Sequence, residues 1–354
     1  MKTIIPVDIT ESIITSTTLT KTYPTNAWVD STTYALNDIV YVAGSNLLRT
    51  AYKSLQNTNV NKNPATETNW WINIGKVYPL YNAGTSYSLD DIVEETGTYL
   101  LFQSAADSNL GNPLTDTTKW VAAGVSNYWA MFYTLSNAQS EVGSPFTLVL
   151  TPGVRINSLG IVGLEANTLT IDITSSAVSV YNEVINLDSR EVLDWYDYFF
   201  EPFSTLSRIV RFQLPPYVNG VITITLERTQ GLVKSGTMII GAEVNLGEAQ
   251  LNAENDALNF STITRNFEGN INTLTQRRSV PKTNQVTFFD KNILNKIRAA
   301  REVLNAVPTI WSGLDDSETN DYFENFLICG LYKRFSISAD NPNHATATLE
   351  VEEI

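Results

Sequence analysis

The chain has 354 residues, 23 of them Lys or Arg and 37 Asp or Glu, which leaves a formal charge of −14. That acidity argues against nucleic acid or an anionic membrane as the main partner, because a polyphosphate surface is met by basic patches. No stretch reaches the roughly 18 apolar residues a spanning helix needs, and the single cysteine, Cys329, excludes an internal disulfide.

The length allows two to four domains. Thr, Asn, Ser, Val and Ile are abundant while Lys is sparse, a β-rich composition with polar turns. The first residues carry a lysine and several isoleucines, but Asp8 and Glu11 interrupt any signal-peptide core, so this stretch reads as mature protein. Residues 1–26 are expected to form an extended arm. Its only charges between Thr3 and Thr22 are Asp8, Glu11 and Lys21, and it is expected to pair with neighbouring copies or another protein, together with the region from about 236 onward.

Next comes a tandem repeat. Shifted by 53, Tyr34, Leu36, Asp38, Ile39, Val40, Gly44, Leu47 and Leu48 fall on Tyr87, Leu89, Asp91, Ile92, Val93, Gly97, Leu100 and Leu101. Shifted by 49, Asn63, Pro64, Thr66, Thr68, Trp71 and Gly75 fall on Asn112, Pro113, Thr115, Thr117, Trp120 and Gly124. The change of offset reads as a four-residue deletion in the loop between the two halves of the unit. A period near 50 marks a copied supersecondary unit. Residues 27–76 and 80–125 are each predicted to form a small three-stranded β module sharing one backbone shape. In the first, the strands run through Tyr34–Val42, Leu47–Lys53 and Trp70–Ile74, with Gly44-Ser45-Asn46 as the hairpin.

From Asn127 the pattern changes. Strand-like runs at Thr147–Leu150, Ser158–Val162, Thr168–Thr174, Ser179–Ile185, Ser207–Gln213 and Gly220–Glu227 predict a β-sandwich over 127–235. The aromatic run Trp195 to Phe203 reads as a hydrophobic plug at one end of that sandwich, with a ligand or subunit contact as the alternative. Residues 236–354 are expected to form an α+β assembly domain. Met238–Val244, Leu258–Arg265, Ser279–Phe289, Phe326–Tyr332 and Ala345–Val351 read as strands. One helix is capped by Asp290, presents Ile293, Leu294, Ile297, Ala300, Val303, Leu304 and Val307 on one face, and stops at Pro308. The expected fold class is therefore mainly β: two tandem modules, a sandwich and a C-terminal α+β domain with one helix.

The repeat units carry Trp28, Tyr34-x-x-Asn37-Asp38-x-Val40-Tyr41, Gly44, Tyr52, Asn63-Pro64 and Trp71, and again Tyr81, Tyr87, Asp90-Asp91-x-Val93, Gly97, Tyr99, Asn112-Pro113 and Trp120. This ordered set resembles the chitin-binding type 3 modules of carbohydrate-binding families 5 and 12. It departs from them in two ways. Asn37 or Asp90 stands where the family has Gly, and the segments Ser54–Lys62 and Ala105–Gly111 lack the paired aromatics that stack on sugar in true chitin binders. Beyond the repeats, several segments are similar to those of tailed-bacteriophage virion proteins: Tyr128 to Phe132, Leu150-Thr151-Pro152-Gly153, Trp195 to Pro202, Ile240 to Gly247, Arg277-Arg278, and Pro308 to Trp311. The resemblance runs from about Trp28 to Gly313. It implies a structural component of a phage tail or tail tip, not an enzyme.

Catalytic chemistry has few carriers. His344 is the sole histidine and reads as a surface turn residue, while Cys329 sits in the apolar run Phe326–Cys329 and reads as core. The acidic stretch Asp315-Asp316-Ser317-Glu318-x-x-Asp321 lacks the alternation of a calcium loop and reads as solvated. No metal and no cofactor is expected. A flat aromatic ring suits the apolar face of a pyranose, so the glycan-contact candidates are Trp28, Trp70, Trp71, Tyr81, Tyr99 and Trp120, with packing of each module's own core as the competing role. Trp70, beside Trp71, is expected to point to the opposite side of a strand. The assembly candidates are Trp195, Tyr198, Phe199 and Trp311. The expected function is a non-enzymatic, oligomeric virion component in the tail tip, baseplate or collar, made in the host cytoplasm. Its expected partners are its own copies, other tail proteins and a host surface glycan, with neither nucleic acid nor membrane insertion. The alternatives are a receptor-binding adhesin that grips host polysaccharide and, less well supported, a polysaccharide-degrading enzyme with accessory modules.

Overall fold

A computed structural model describes residues 1–189, 194–200, 204–314, 322–339 and 342–354. The acidic stretch Asp315 to Asp321 and the end of the aromatic run, Glu201 to Phe203, lie outside the described residues. The fold is mainly β, as predicted. Among the described residues one helix exceeds seven residues, Leu294–Val303, and no helix is long and apolar enough to cross a membrane.

The sandwich forms because strict alternation gives several strands one apolar face. Phe146, Leu148 and Leu150, then Leu169, Ile171 and Ile173, then Ile222, Ile224 and Leu226 lie on adjacent strands of a five-stranded sheet and are all but fully buried. They pack on Leu159, Ile161, Ile209, Met238 and Ile240 of a ten-stranded sheet. Each such side chain stabilises the fold by roughly 1.5–3 kcal/mol relative to exposure. The five-stranded sheet runs in the order Val178–Asn186, Thr168–Ser175, Gly220–Glu227, Phe146–Leu150, Ile14–Thr17.

Two boundaries differ from the sequence reading. The N-terminal segment is not a free arm: Lys2–Pro6 pairs along its whole length with Met238–Asn245 of the same chain, and Thr3 pairs with Trp311 on the other side. Ile14–Thr17 pairs with Phe146–Leu150. The β-branched composition that pointed to partner strands is satisfied within the molecule. The fit is tight: a Cβ on Gly241 would lie 1.9 Å from the Ile5 carbonyl oxygen. For the same reason the boundary at 235/236 does not divide the sandwich from the region that follows. Met238–Asn245 pairs with Ser158–Val162 on one side and with Lys2–Pro6 on the other, so the sandwich sheet continues into the C-terminal region.

In that region the helix is entered through a short 3-10 turn whose Asp290 side chain accepts from the Asn292 N–H, as a cap should. Ile297, Ala300 and Leu304 are buried against Phe289, Phe335, Ala345 and Leu349. Val303 is exposed instead, because the last helical residue faces away from the sheet. Phe326 belongs to a four-residue helix, Phe323–Phe326, and the strand predicted there begins at Ile328.

The two modules have the same strand order and register. Ile39–Ala43, Arg49–Ser54 and Trp71–Val77 correspond to Ile92–Glu94, Leu100–Ser104 and Trp120–Val125, with the register shift between Ala51 and Tyr52 repeated between Leu101 and Phe102. The pairing Val40↔Tyr52 in the first corresponds to Val93↔Phe102 in the second. This relocates the deletion. Three of the four residues are missing from the hairpin of the second module, between Val93 and Phe102, so Leu47 and Leu48 are not the counterparts of Leu100 and Leu101.

Candidate binding surfaces

Each module is built on a ring pair and a buried amide. Tyr34 meets Trp71 at 5.2 Å and Tyr87 meets Trp120 at 5.4 Å, both with planes 71° apart. Each tyrosine hydroxyl accepts a backbone N–H, from Val29 or Asn82. Each indole N–H donates to a loop carbonyl, Lys62 or Asn112. Asn59 and Asn109, both buried, donate to Ser54 Oγ and Trp70 O, and to Ser104 Oγ and Lys119 O. A module this small has little other core, so these rings are committed to packing.

That settles where the glycan candidates lie. Trp71 is 1% exposed and Trp120 2%, so neither presents a face to a sugar. Tyr99 is buried too, stacked on Trp129 at 4.7 Å where the second module meets the body. Trp28, Trp70 and Tyr81 are half-buried. Trp70 lies in the turn before its strand, so strand alternation does not apply, and it leans on the same cluster as Trp71. Lys62 Nζ sits 5.4 Å from the Trp70 ring centroid. Trp28 corresponds to Tyr81, but their polar ends differ. Tyr81 donates to Asn112 O, whereas the Trp28 indole nitrogen is buried with no hydrogen-bond partner among the described residues. The first module therefore has two half-exposed indoles where the second has Tyr81 and Lys119.

The modules are seated against the body and each other. Asn73 O accepts from Gly143 N, Ile74 O from Thr20 N, and Lys76 pairs with Glu141 at 2.6 Å. The extra residues of the first hairpin form the joint between modules. Asn46 O accepts from Ile92 N at 3.2 Å, Leu47 packs on Tyr87, Val93 and Trp120, and Leu47 O accepts from Tyr23. A groove of about 570 Å³ separates the first module from the body, lined by Thr68, Asn69, Asn73, Arg228 and Thr229 among others. Its arginine is engaged by Glu165 and the Leu232 carbonyl.

At the second module's seat, Glu94 is buried where the first module has Tyr41. Burial pushes its carboxyl up to about 7, with Ser126 and Lys21 acting in the opposite direction. Lys21 in turn is ion-paired to Glu11. Elsewhere, burial pushes the Cys329 thiol up to about 12, which makes it a packing group and a poor nucleophile. His344 is not in a surface turn: it opens the strand His344–Glu353 opposite Asp290, with its ring 4.6 Å from that of Phe288.

Of the assembly candidates, Trp195, Tyr198 and Phe199 come together on the short helix Trp195–Phe200. They are 79%, 53% and 68% exposed, so this segment is no sandwich plug. Tyr196 and Phe200 are exposed beside them. Trp311 is fully buried, its indole donating to Gly330 O, and belongs to the core because its strand lies mid-sheet between Lys2–Pro6 and Ile328–Ser338. Sequence reasoning missed a second exposed element, the two-stranded ribbon Thr262–Arg265 and Ile271–Thr275. Its readable signal was the turn-forming Asn266, Gly269 and Asn270, which follow directly on the strand read as Leu258–Arg265 and precede the unassigned Ile271–Thr275. No family model, curated protein or solved structure matches the chain.

Proposed function

We propose that this chain is a non-enzymatic structural component of a bacteriophage virion, in the tail tip, baseplate or collar, assembling as an oligomer. The observation that carries the reading is the contrast between filled cores and exposed apolar projections. The modules' rings are engaged in packing, while five aromatics of the Trp195–Phe200 helix stand in solvent. Large exposed apolar patches mark interaction surfaces. The modules resemble carbohydrate-binding domains, yet they are seated on the body as rigid decorations. Quantitative mass spectrometry of purified tailed-phage particles tests this: the chain is expected at a fixed copy number above one per virion. Detection only in the infected-cell lysate would defeat the proposal.

A second reading, an adhesin for host polysaccharide, is favoured by the half-exposed Trp28 and Trp70 of the first module. It predicts glycan-array binding by the full chain that Trp70→Ala abolishes. A blank array would reject it.

A further inference from the structure

Beyond Asn259 the chain leaves the body as a ribbon and returns at Ser279, the residue paired with Asn259. The strands Thr262–Arg265 and Ile271–Thr275 pair with each other and with no other strand among the described residues. Every residue from Thr262 to Ser279 is exposed. Ile263 and Leu274 are cross-strand partners, and Phe260, Phe267 and Ile271 add further exposed apolar surface. A solitary two-stranded ribbon is marginal in water, and one carrying this much apolar surface calls for a partner.

Charge indicates which partner. Residues 259–279 hold Arg265, Arg277 and Arg278 against Glu268, a balance of +2, so the rest of this −14 chain carries −16. Arg278 is paired with Glu353 at the ribbon's base, which leaves Arg265 and Arg277 as the outward cations. A basic ribbon on an acidic body is complementary to another copy of that body. The body also offers a receiving edge. Val178–Asn186 is the last strand of the five-stranded sheet and, among the described residues, pairs on one side only, with Thr168–Ser175. It is nine residues long, its one charged residue, Glu183, is ion-paired to Arg211 of the same chain, and Val178 and Val184 are exposed. Its one bulge lies near the start, where Val180 is skipped between Ser179 and Tyr181, and from Tyr181 to Asn186 the register is unbroken; long, sparsely charged edges are templates for added strands. Asp172 lies next to that edge, hydrogen-bonded to Ser179 and Asn182.

We infer that the ribbon is an assembly arm that adds as a strand to the Val178–Asn186 edge of a second copy of this chain. The inference rests on the oligomer reading above and specifies its contact. At about 3.3 Å per residue the ribbon reaches some 25 Å from its base, comparable to the roughly 30 Å of the receiving strand. Because donor and acceptor are different surfaces, the contact is heterologous and propagates into a ring or a filament.

Two variants of the full chain test this. In the first, residues 260–278 are replaced by an Asn-Gly turn joining Asn259 to Ser279, which already face each other. In the second, Val178→Lys and Val184→Lys block the receiving edge. By sedimentation, the unaltered chain is expected to be oligomeric. Each variant alone is expected to be monomeric, with self-association weakened at least 100-fold and an unchanged melting temperature. An equimolar mixture of the two should give a 1:1 heterodimer, since one supplies the edge and the other the ribbon. Variants that keep the parent oligomer, or a mixture that stays monomeric, overturn the arm while leaving the oligomer reading intact. An unaltered chain that is monomeric at 100 μM overturns both.

Discussion

Leu47→Ala should loosen the joint between the two modules without unfolding either. Leu47 sits on the hairpin that is three residues longer than its counterpart, half-buried against Tyr87, Val93 and Trp120 of the second module. Truncation removes three carbons, worth about 2.4 kcal/mol if fully buried at ~0.8 kcal/mol each. Half burial brings the loss to about 1 kcal/mol. The Ile92 N–H, which donates to Asn46 O across the joint, reports it directly. Hydrogen exchange at Ile92 should quicken about fivefold, while amides inside either three-stranded sheet keep their rates. Leu36→Ala, an exposed leucine of the first module away from the joint, should change nothing. Equal exchange at Ile92 in the parent and in Leu47→Ala would refute the idea that the longer hairpin is a joint.

Three further outcomes follow from the geometry. Glu94 has its carboxyl raised from 4.5 to about 7, so the folded state holds the proton more tightly than the unfolded chain; stability falls as pH rises from about 4.5 to 7, and Glu94→Gln should raise stability by about 1–3 kcal/mol at pH 8 and by little at pH 4.5, read from melts at both pH values. Asn59→Ala and Asn109→Ala should each cost about 1–3 kcal/mol, because the same two acceptors lose their donor in each module, and Asn109→Ala should cost the more, because the Asn112 side-chain amide also loses its acceptor; chemical denaturation of the single variants checks the order. Gly241→Ala should destabilise by more than about 3 kcal/mol, since the new Cβ meets the Ile5 carbonyl at 1.9 Å and drives out the N-terminal strand; a melting temperature within a degree or two of the parent would contradict that packing.

Much of the local structure was legible in the sequence. Thr168–Ser175 and Gly220–Glu227 alternate so regularly that strand, face and extent follow from period two alone. The module repeat was readable because positions fixed by backbone geometry recur, such as Asn37 and Asp90, both in the left-handed region at φ 71° and 70°. Long-range pairing was not legible. Lys2–Pro6 finds its partners more than 230 residues away, and nothing local separates a strand bound within the chain from one offered to a neighbour. The deletion was misplaced because Gly44 and Leu47-Leu48 match Gly97 and Leu100-Leu101 by letter, although the strand register puts Ala51 opposite Leu101 in the superposition. For the candidate surfaces, residue type announced the rings but not their burial. Trp71, Trp120 and Trp311 serve cores, and the three assembly aromatics Trp195, Tyr198 and Phe199 stand in solvent.

Gold-labelled antibody raised against residues 27–125, imaged on purified tailed-phage virions by electron microscopy, tests the virion assignment most directly. The proposal predicts label at the tail, clustered at the tip, baseplate or collar. Particles left bare, or label confined to the capsid shell, would contradict it.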